Sequence, residues 1–378
     1  MKEINFKELK HIYFCGIGGI SMSGLARVLL EKGFRVSGSD LKASNITKDL
    51  ADRGIEVFIG QNSENITDDI DLMVYTAAVH EDNPELITAK EKNIPLMSRA
   101  QLLGYIMLQY KNGVAISGTH GKTTTTSMLA YILLDSGVDP TIAVGGVLKK
   151  IEGNIHIGKG ETFVTEACEY TNSFLELNPT VGVILNIEED HMDFFTDIED
   201  IRNSFKKFVK NTSEEGCIII NSSIENIEEI TGNFKGQVIK YGNKASDCFA
   251  SNIRYNELGH PTFDLNYMGN VYNDVKLCVG GDHNISNALA SIAVAFNLGA
   301  DIKDIKRGLA EFKGADRRFE IKGKLGGITI VDDYAHHPSE IEATLNIAKK
   351  YPHDRLVVVF QPHTYTRTKA FFEDFERV

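Results

Sequence analysis

The stretch Ser117-Gly-Thr-His-Gly-Lys-Thr-Thr-Thr-Thr-Ser127 constrains this chain more than any other. An apolar run, Gly113-Val-Ala-Ile-Ser117, leads into it, and a helical pattern follows to about Ser136. Strand, glycine turn, lysine and a hydroxyl run opening a helix form an anion site. Backbone N–H groups and the helix N-terminus face the phosphates there. The usual spacing is G-x-x-x-x-G-K-[ST]. Counting back five positions from Gly121 reaches Ile116, and the nearest upstream glycine is Gly118. The shortened loop moves one glycine but still allows the N–H cradle. Lys122 would bridge β- and γ-phosphates, and Thr123 would give its hydroxyl to Mg2+. A turn of no function would not need these elements to coincide in this order.

A phosphate cradle leaves the reaction open, so neighbouring strands matter. Glu166 follows the buried run Thr162-Phe-Val-Thr165, and His191 follows Val181-Gly-Val-Ile-Leu185 in Asn186-Ile-Glu-Glu-Asp-His191. Parallel strands deliver their C-terminal ends to one sheet edge, where α/β folds bind ligands. The carboxylate and imidazole could meet there beside the cradle. Mg2+ prefers oxygen ligands, so the imidazole hints at a second metal position or a bridging role. A solvated acidic loop of Glu188, Glu189 and Asp190 is the plain alternative.

The N-terminal part reads as a second α/β unit. His11-Ile-Tyr-Phe-Cys15 is a buried strand, Gly16-Ile-Gly-Gly19 a turn, and Met22, Leu25, Ala26, Leu29 and Leu30 recur at helical spacing before Gly33. Phe34 to Asp40, Ile55 to Phe58 and Asp71 to Tyr75 supply further strands. This β-α-β rhythm predicts a parallel, doubly wound sheet. Gly16-x-Gly18-x-x-Ser21, with Asp40 downstream, is a dinucleotide-type fingerprint lacking its third glycine. It reads as a second diphosphate site with Asp40 near a ribose or base, or as a tight strand-to-helix turn.

After Val181–Leu185 come the run Gly216–Ile220, short strands with turns over 235–280, and an Ala-rich helix over 284–298. Lys313 to Phe319 reads as a linker. A third unit follows, with a strand at Ile328–Val331, a helix near Ser339–Lys350 and a strand at Arg355–Phe360. Asp332-Asp-Tyr-Ala-His-His-Pro338 and Gln361-Pro-His-Thr-Tyr-Thr-Arg367 follow these two strands, so their polar side chains should converge on one sheet edge.

Composition limits the partners. The 378 residues suit two or three domains. A net charge of −12 argues against nucleic acid, which needs a basic face. A small anion needs only a few local cations. The five cysteines are odd in number and contain no C-x-x-C pair, which suits a reducing compartment and excludes a zinc ribbon. No apolar run reaches about 18 residues, and the N-terminus shows no cleavable leader pattern. The expectation is a soluble cytoplasmic protein without membrane contact.

Taken together, HIYFCGIGGISMSGLA, GSD, YTAAVHEDNPE, SGTHGKTTTTSM, EACEYTNSFL, LNIEEDHMDFF, GDHNISNALA, DRRFE, DDYAHHPSEI and FQPHTYTRT resemble the Mur ligases, in order and along nearly the whole chain. The short loop with Gly-Lys-Thr is the form that family uses. The resemblance implies an α/β protein of three domains. These are a Rossmann-like UDP-sugar domain over 1–105, a central P-loop ATP domain with a mixed or parallel sheet over 106–314, and a partial Rossmann-like amino-acid domain over 315–378, apparently truncated. It implies that ATP phosphorylates the lactyl carboxylate of UDP-N-acetylmuramate. The amine of L-alanine then attacks the acyl phosphate.

Carried over by position, Gly118, Thr119, His120, Gly121, Lys122, Thr123 and Thr124 would hold ATP phosphates. Thr123, Glu166 and His191 would hold Mg2+, with Glu169 a substitute for Glu166. His283 and Asn287 would contact adenine, and Arg318 and Asp333 phosphate and ribose. His336 and Arg367 would form the amino-acid end and, with Lys122, the catalytic set. Gly16, Gly18, Gly19, Ser21, Asp40 and Arg99 would hold the UDP part. Two substitutions depart from many relatives: Glu169-Tyr-Thr stands where they have Glu-Ser-Asp, and Thr364 where they have arginine. The family's third domain runs past Val378, so weak nucleotide binding or slow turnover is expected. A relative adding a peptide or another amino acid is the same-class alternative. A nicotinamide oxidoreductase leaves Gly-Lys-Thr unexplained, and a regulatory nucleotide binder predicts no phosphate release.

Overall fold

Two main sheets, one parallel and one mixed, organise the described residues, and their central strands are near-continuous apolar runs, as burial on both faces demands. The structure is a computed structural model and describes residues 4–76 and 78–378. The chain divides into two compact units, Met1–Gln109 and Tyr110–Val378.

In the first unit, β1 (His11–Cys15), β2 (Arg35–Asp40), β3 (Glu56–Ile59), β4 (Leu72–Tyr75) and β5 (Leu96–Ser98) pair in parallel in the order β3-β2-β1-β4-β5. The helix Ile20–Glu31 buries Met22, Leu25, Ala26, Val28 and Leu29, one face of a 3.6-residue repeat. The order reverses at β1, so the turn after β1 opens into the crevice where such sheets bind ligands.

The second unit holds β6 (Asn112–Ser117), β7 (Thr141–Leu148), β8 (Gly153–His156), β9 (Thr162–Glu166), β10 (Val181–Ile184), β11 (Cys217–Asn221), β12 (Gln237–Gly242), β13 (Cys248–Tyr255), β14 (Pro261–Tyr267) and β15 (Asn270–Lys276). They form one ten-stranded sheet in the order β15-β14-β13-β12-β11-β10-β6-β9-β7-β8. Pairing is parallel from β7 through β13 and antiparallel at β7-β8 and β13-β14-β15.

The helix Lys122–Leu134 opens with four threonines, weak helix formers. Packing secures it, because it lies against the helices Asp282–Asn297 and Ile302–Glu311. Gly308 makes that approach possible, since a Cβ there would stand 2.5 Å from the Ile132 Cα.

Residues 315–378 belong to the second unit by packing. They contain β16 (Glu320–Leu325) and β17 (Ile328–Asp332) as an antiparallel pair, then the helices Pro338–Lys350, Tyr365–Ala370 and Phe372–Arg377. The expected strand over 355–360 carries no ladder, and Val359 is 94% exposed. An apolar run becomes a strand only when a neighbour takes its N–H and C=O groups. Among the described residues none flanks this segment, so the parallel pairing expected of a Rossmann-like third unit is not formed here.

Candidate active site

The register of the sheet assembles the site. Ile116 of β6 pairs with Glu166 of β9, and Ser117 with Ile184 of β10. All three strands are parallel, so the loop 118–121, the segment after Glu166 and the segment after Ile184 leave the sheet at one edge.

Within the loop, Gly118 and Gly121 adopt φ of 136° and 86°, a region side chains resist. A Cβ on Gly121 would lie 2.6 Å from Asn287 Oδ1. The N–H groups of Thr119 and His120 turn inward, to the carbonyl of Asn186 at 3.3 Å and its Oδ1 at 2.8 Å. The cradle available to a phosphate therefore begins at Gly121, at the helix N-terminus. The backbone N–H groups of Thr119 and His120, both expected among the ATP contacts, here brace the loop against Asn186.

Lys122 Nζ donates to Thr119 O at 3.1 Å and to Glu169 Oε2 at 2.9 Å. Both side chains are sheltered, 15% and 3% exposed. Burial alone would lower the lysine pKa, but the Glu169 charge outweighs it and the ammonium is held above its usual range. Glu166 accepts from Thr123 Oγ1 at 3.0 Å and from the Gly145 N–H at 2.6 Å. Burial raises its pKa against those two donors and the Lys122 charge.

His191 takes a left-handed backbone, φ 55°. Its Nε2 faces Glu169 Oε1 at 3.7 Å and Asp190 Oδ2 at 3.8 Å, and Tyr170 stacks on the ring at 4.5 Å. The structure thus brings His191 to Glu169, whereas the sequence reading set it beside Glu166. Desolvation lowers the His191 pKa despite those carboxylates, which keeps a lone pair for a cation.

A cavity of about 600 Å³ opens beside the loop. His120, Gly121, Thr124, His283, Asn287, Arg318 and Asp333 line it, all expected on the nucleotide side. Asn287 accepts from Thr125 Oγ1 at 3.3 Å and donates to Asn284 Oδ1 at 3.2 Å. Burial lowers the His283 pKa. Asp333 accepts from the Phe319 and Ala335 N–H groups, each at 2.7 Å.

The His-rich strings reach the same region. His336 donates from Nδ1 to the Tyr334 carbonyl at 2.7 Å. Arg367 holds Asp190 through Nε at 3.1 Å and Nη2 at 3.0 Å, a pair 9% and 7% exposed. The sequence reading assigned no role to Asn186, Glu188, Asp190 or Glu340. Only the position of the first three after a buried strand signalled them.

In the first unit, Gly18 N–H donates to Asp40 Oδ2 at 2.9 Å, and Arg99 Nη1 to Ser21 Oγ at 3.2 Å. A Cβ on Gly18 would meet Asp40 Oδ2 at 2.7 Å. The N–H groups of Gly16 and Ile17 bond Ser39 O at 2.9 and 2.8 Å. Gly19 starts the helix Ile20–Glu31 with no side-chain cap. The Gly19 N–H bonds Gly16 O at 3.3 Å, so the six expected residues gather at the start of this helix.

The donors suit a hard cation. Thr123 Oγ1 and the Glu166 carboxylate are an oxygen pair, and Mg2+ commonly takes one or two carboxylates and completes its shell with water and phosphate. Among the described residues no group of three or more His, Cys, Asp or Glu side chains forms a ready cage.

These features, a short Gly-Lys-Thr loop at a parallel switch point with a carboxylate beside it, define a nucleotide-using α/β enzyme. The chain belongs to the Mur ligase family. It matches the family's catalytic domain over residues 11–111, its middle domain over 116–295 and its glutamate ligase domain over 317–378. It is 55% identical to the UDP-N-acetylmuramate--L-alanine ligase of Agathobacter rectalis over 379 aligned positions, covering 100% of this chain and 83% of that one. The enzyme of that name from Lachnospira eligens is 53% identical, covering 99% and 82%. Among solved structures, the UDP-N-acetylmuramate-alanine ligase of Thermotoga maritima superposes with a TM-score of 0.80 at 32% identity, covering 96% and 83%. A UDP-N-acetylmuramate:L-alanyl-gamma-D-glutamyl-meso-diaminopimelate ligase from Neisseria meningitides gives 0.73 at 31%, covering 82% and 100%. No helix among the described residues is long and apolar enough to cross a membrane.

Proposed function

We propose that this chain joins L-alanine to the lactyl carboxylate of UDP-N-acetylmuramate at the expense of ATP, in cytoplasmic peptidoglycan precursor synthesis. The observation that carries the reading is the meeting of Lys122, Thr123 and Glu166 at the edge of a cavity lined by His283, Asn287, Arg318 and Asp333. Relatives of that activity matching the full chain at over half identity support the substrates.

A carboxylate is a poor electrophile, and phosphorylation gives it a leaving group. The carboxylate oxygen attacks the γ-phosphorus, and ADP leaves. The amine nitrogen then attacks the acyl carbon, the tetrahedral species expels phosphate, and the nitrogen gives up a proton. Lys122 and the N–H groups from Gly121 onward stabilise charge on the transferring phosphoryl group. Thr123 and Glu166 would hold Mg2+, which neutralises phosphate charge when bound. Arg367, held on Asp190 through Nε and Nη2 with Nη1 donating to the His363 carbonyl at 3.5 Å, would carry the positive charge at the amino-acid end, and His336 stands at the same end. Gly18, Gly19, Ser21 and Arg99 would take the UDP part at the start of the helix Ile20–Glu31. The 31% identical neighbour named for UDP-N-acetylmuramate and L-alanyl-gamma-D-glutamyl-meso-diaminopimelate keeps peptide addition as the second reading.

Phosphate release with each substrate omitted in turn tests this. Release that requires ATP, UDP-N-acetylmuramate and L-alanine together is expected. Release supported by a tripeptide in place of L-alanine would favour the second reading, and release without any amine would exclude both.

A further inference from the structure

One carboxylate gathers groups that the sequence scatters. Glu340 sits in the first turn of the helix Pro338–Lys350, 13% exposed. Its Oε1 faces His120 Nδ1 at 3.2 Å and Arg318 Nη1 at 3.7 Å. Its Oε2 accepts from the His336 N–H at 3.1 Å and the His337 N–H at 3.4 Å. The phosphate loop, the cavity-lining arginine and the histidine string therefore share one anion.

We propose that Glu340 is a positioning residue that couples the histidine string of residues 336–337 to the phosphate loop through His120. The inference rests on the ligase reading above. A mere helix cap would need only the two backbone contacts. The Oε1 contacts reach 220 residues back to His120 and 22 back to Arg318, and neither is needed to start a helix. The groups around the His120 ring are Glu188 at 3.5 Å, Glu340, the Ser339 hydroxyl at 3.2 Å and the His337 ring at 4.8 Å, with Arg318 behind Glu340. Burial opposes a charge on His120, but the hydrogen bonds that its ring donates to Glu188 and Glu340 prevail and raise its pKa to about 9. A histidine raised in this way stabilises the contact fully below its unfolded pKa, and the contribution is lost as pH rises through about 9. Glu340 is correspondingly pushed well below the ordinary range: burial opposes its charge, and His120 and Arg318 overcome it.

The test is a double-mutant cycle with Glu340→Gln and His120→Asn on the full chain. Each single variant should lower kcat roughly tenfold or more, with the KM for UDP-N-acetylmuramate unchanged within about twofold. The double variant should be no slower than the slower single one. In Glu340→Gln the alkaline limb of kcat should also move to lower pH, since Glu188 alone then holds His120. His120→Asn leaves the helix start intact, so it carries the test if the other variant melts early. Multiplicative effects, a wild-type kcat in both singles, or an unmoved alkaline limb would overturn the proposal. Those results in an enzyme that needs all three substrates sink the coupling alone. Wild-type release without an amine sinks the ligase reading alone.

Discussion

Lys122 is both a reagent for phosphate and half of a sheltered ion pair, and the two roles separate experimentally. Glu169 lies 2.9 Å away and is only 3% exposed, so Lys122→Met strands a buried carboxylate. Breaking such a pair costs roughly 3–5 kcal/mol. The expected outcome is a lowered melting temperature together with lost turnover. Glu169→Gln added to Lys122→Met should restore most of the melting temperature and none of the activity. If the double variant melts as low as the single one, the destabilisation has another source. Lys122, Thr123 and Glu166 were legible because loop, strand end and helix start follow one another in sequence. Asn186 and Glu340 were not. A polar residue in a loop or at a helix start reads as a cap, and only the fold shows that its partner lies 66 or 220 positions away. The nearness of His191 to Glu169 was hidden for the same reason. Glu166 ends β9 and Glu169 lies three residues on, and only the fold shows that Glu166 is taken by Thr123 and the Gly145 N–H while Glu169 faces the imidazole.

Among elements, the central parallel strands β1, β6, β10 and β11 followed from near-continuous apolar runs, since a strand covered on both faces has no polar side to alternate. The segment 355–360 has the same composition and no ladder, because composition records what a residue can bury and not whether a neighbour exists to pair with it. The hairpin β7-β8 was missed where Gly145, Gly146 and Gly153 blur the alternation. The helix Tyr365–Ala370 sets a different problem. It is six residues long and buries none of them by residue exposure, so propensity cannot hold it. Its anchor is Arg367 on Asp190, across to the segment after β10. Arg367→Ala should therefore speed hydrogen exchange of the amides of 367–371 by tenfold or more, while β6 and β10 keep their protection. Unchanged exchange in 367–371 would show that the helix is held by something else.

At the scale of the whole molecule, the two units have separate apolar cores, one built around Tyr13, Met73 and Leu86 and the other around Val114, Ile132, Ile219 and Ala293. Each also carries its own glycine turn at a sheet switch point. A ligand that binds only the folded form stabilises it by RT ln(1 + [L]/Kd), about 2.7 kcal/mol at a hundredfold excess over Kd. That stabilisation should appear first in the unit that makes the contacts. A non-hydrolysable ATP analogue given alone is expected to slow hydrogen exchange within 110–378, most strongly at 121–126. UDP-N-acetylmuramate given alone should slow it within 4–109, most strongly at 18–23. Each ligand leaving the other unit's exchange at its free value would support two independently formed anion sites on one chain. Equal protection of both units by either ligand alone would mean that one site serves both, and the separation of roles drawn from Lys122 and Gly18 would fall.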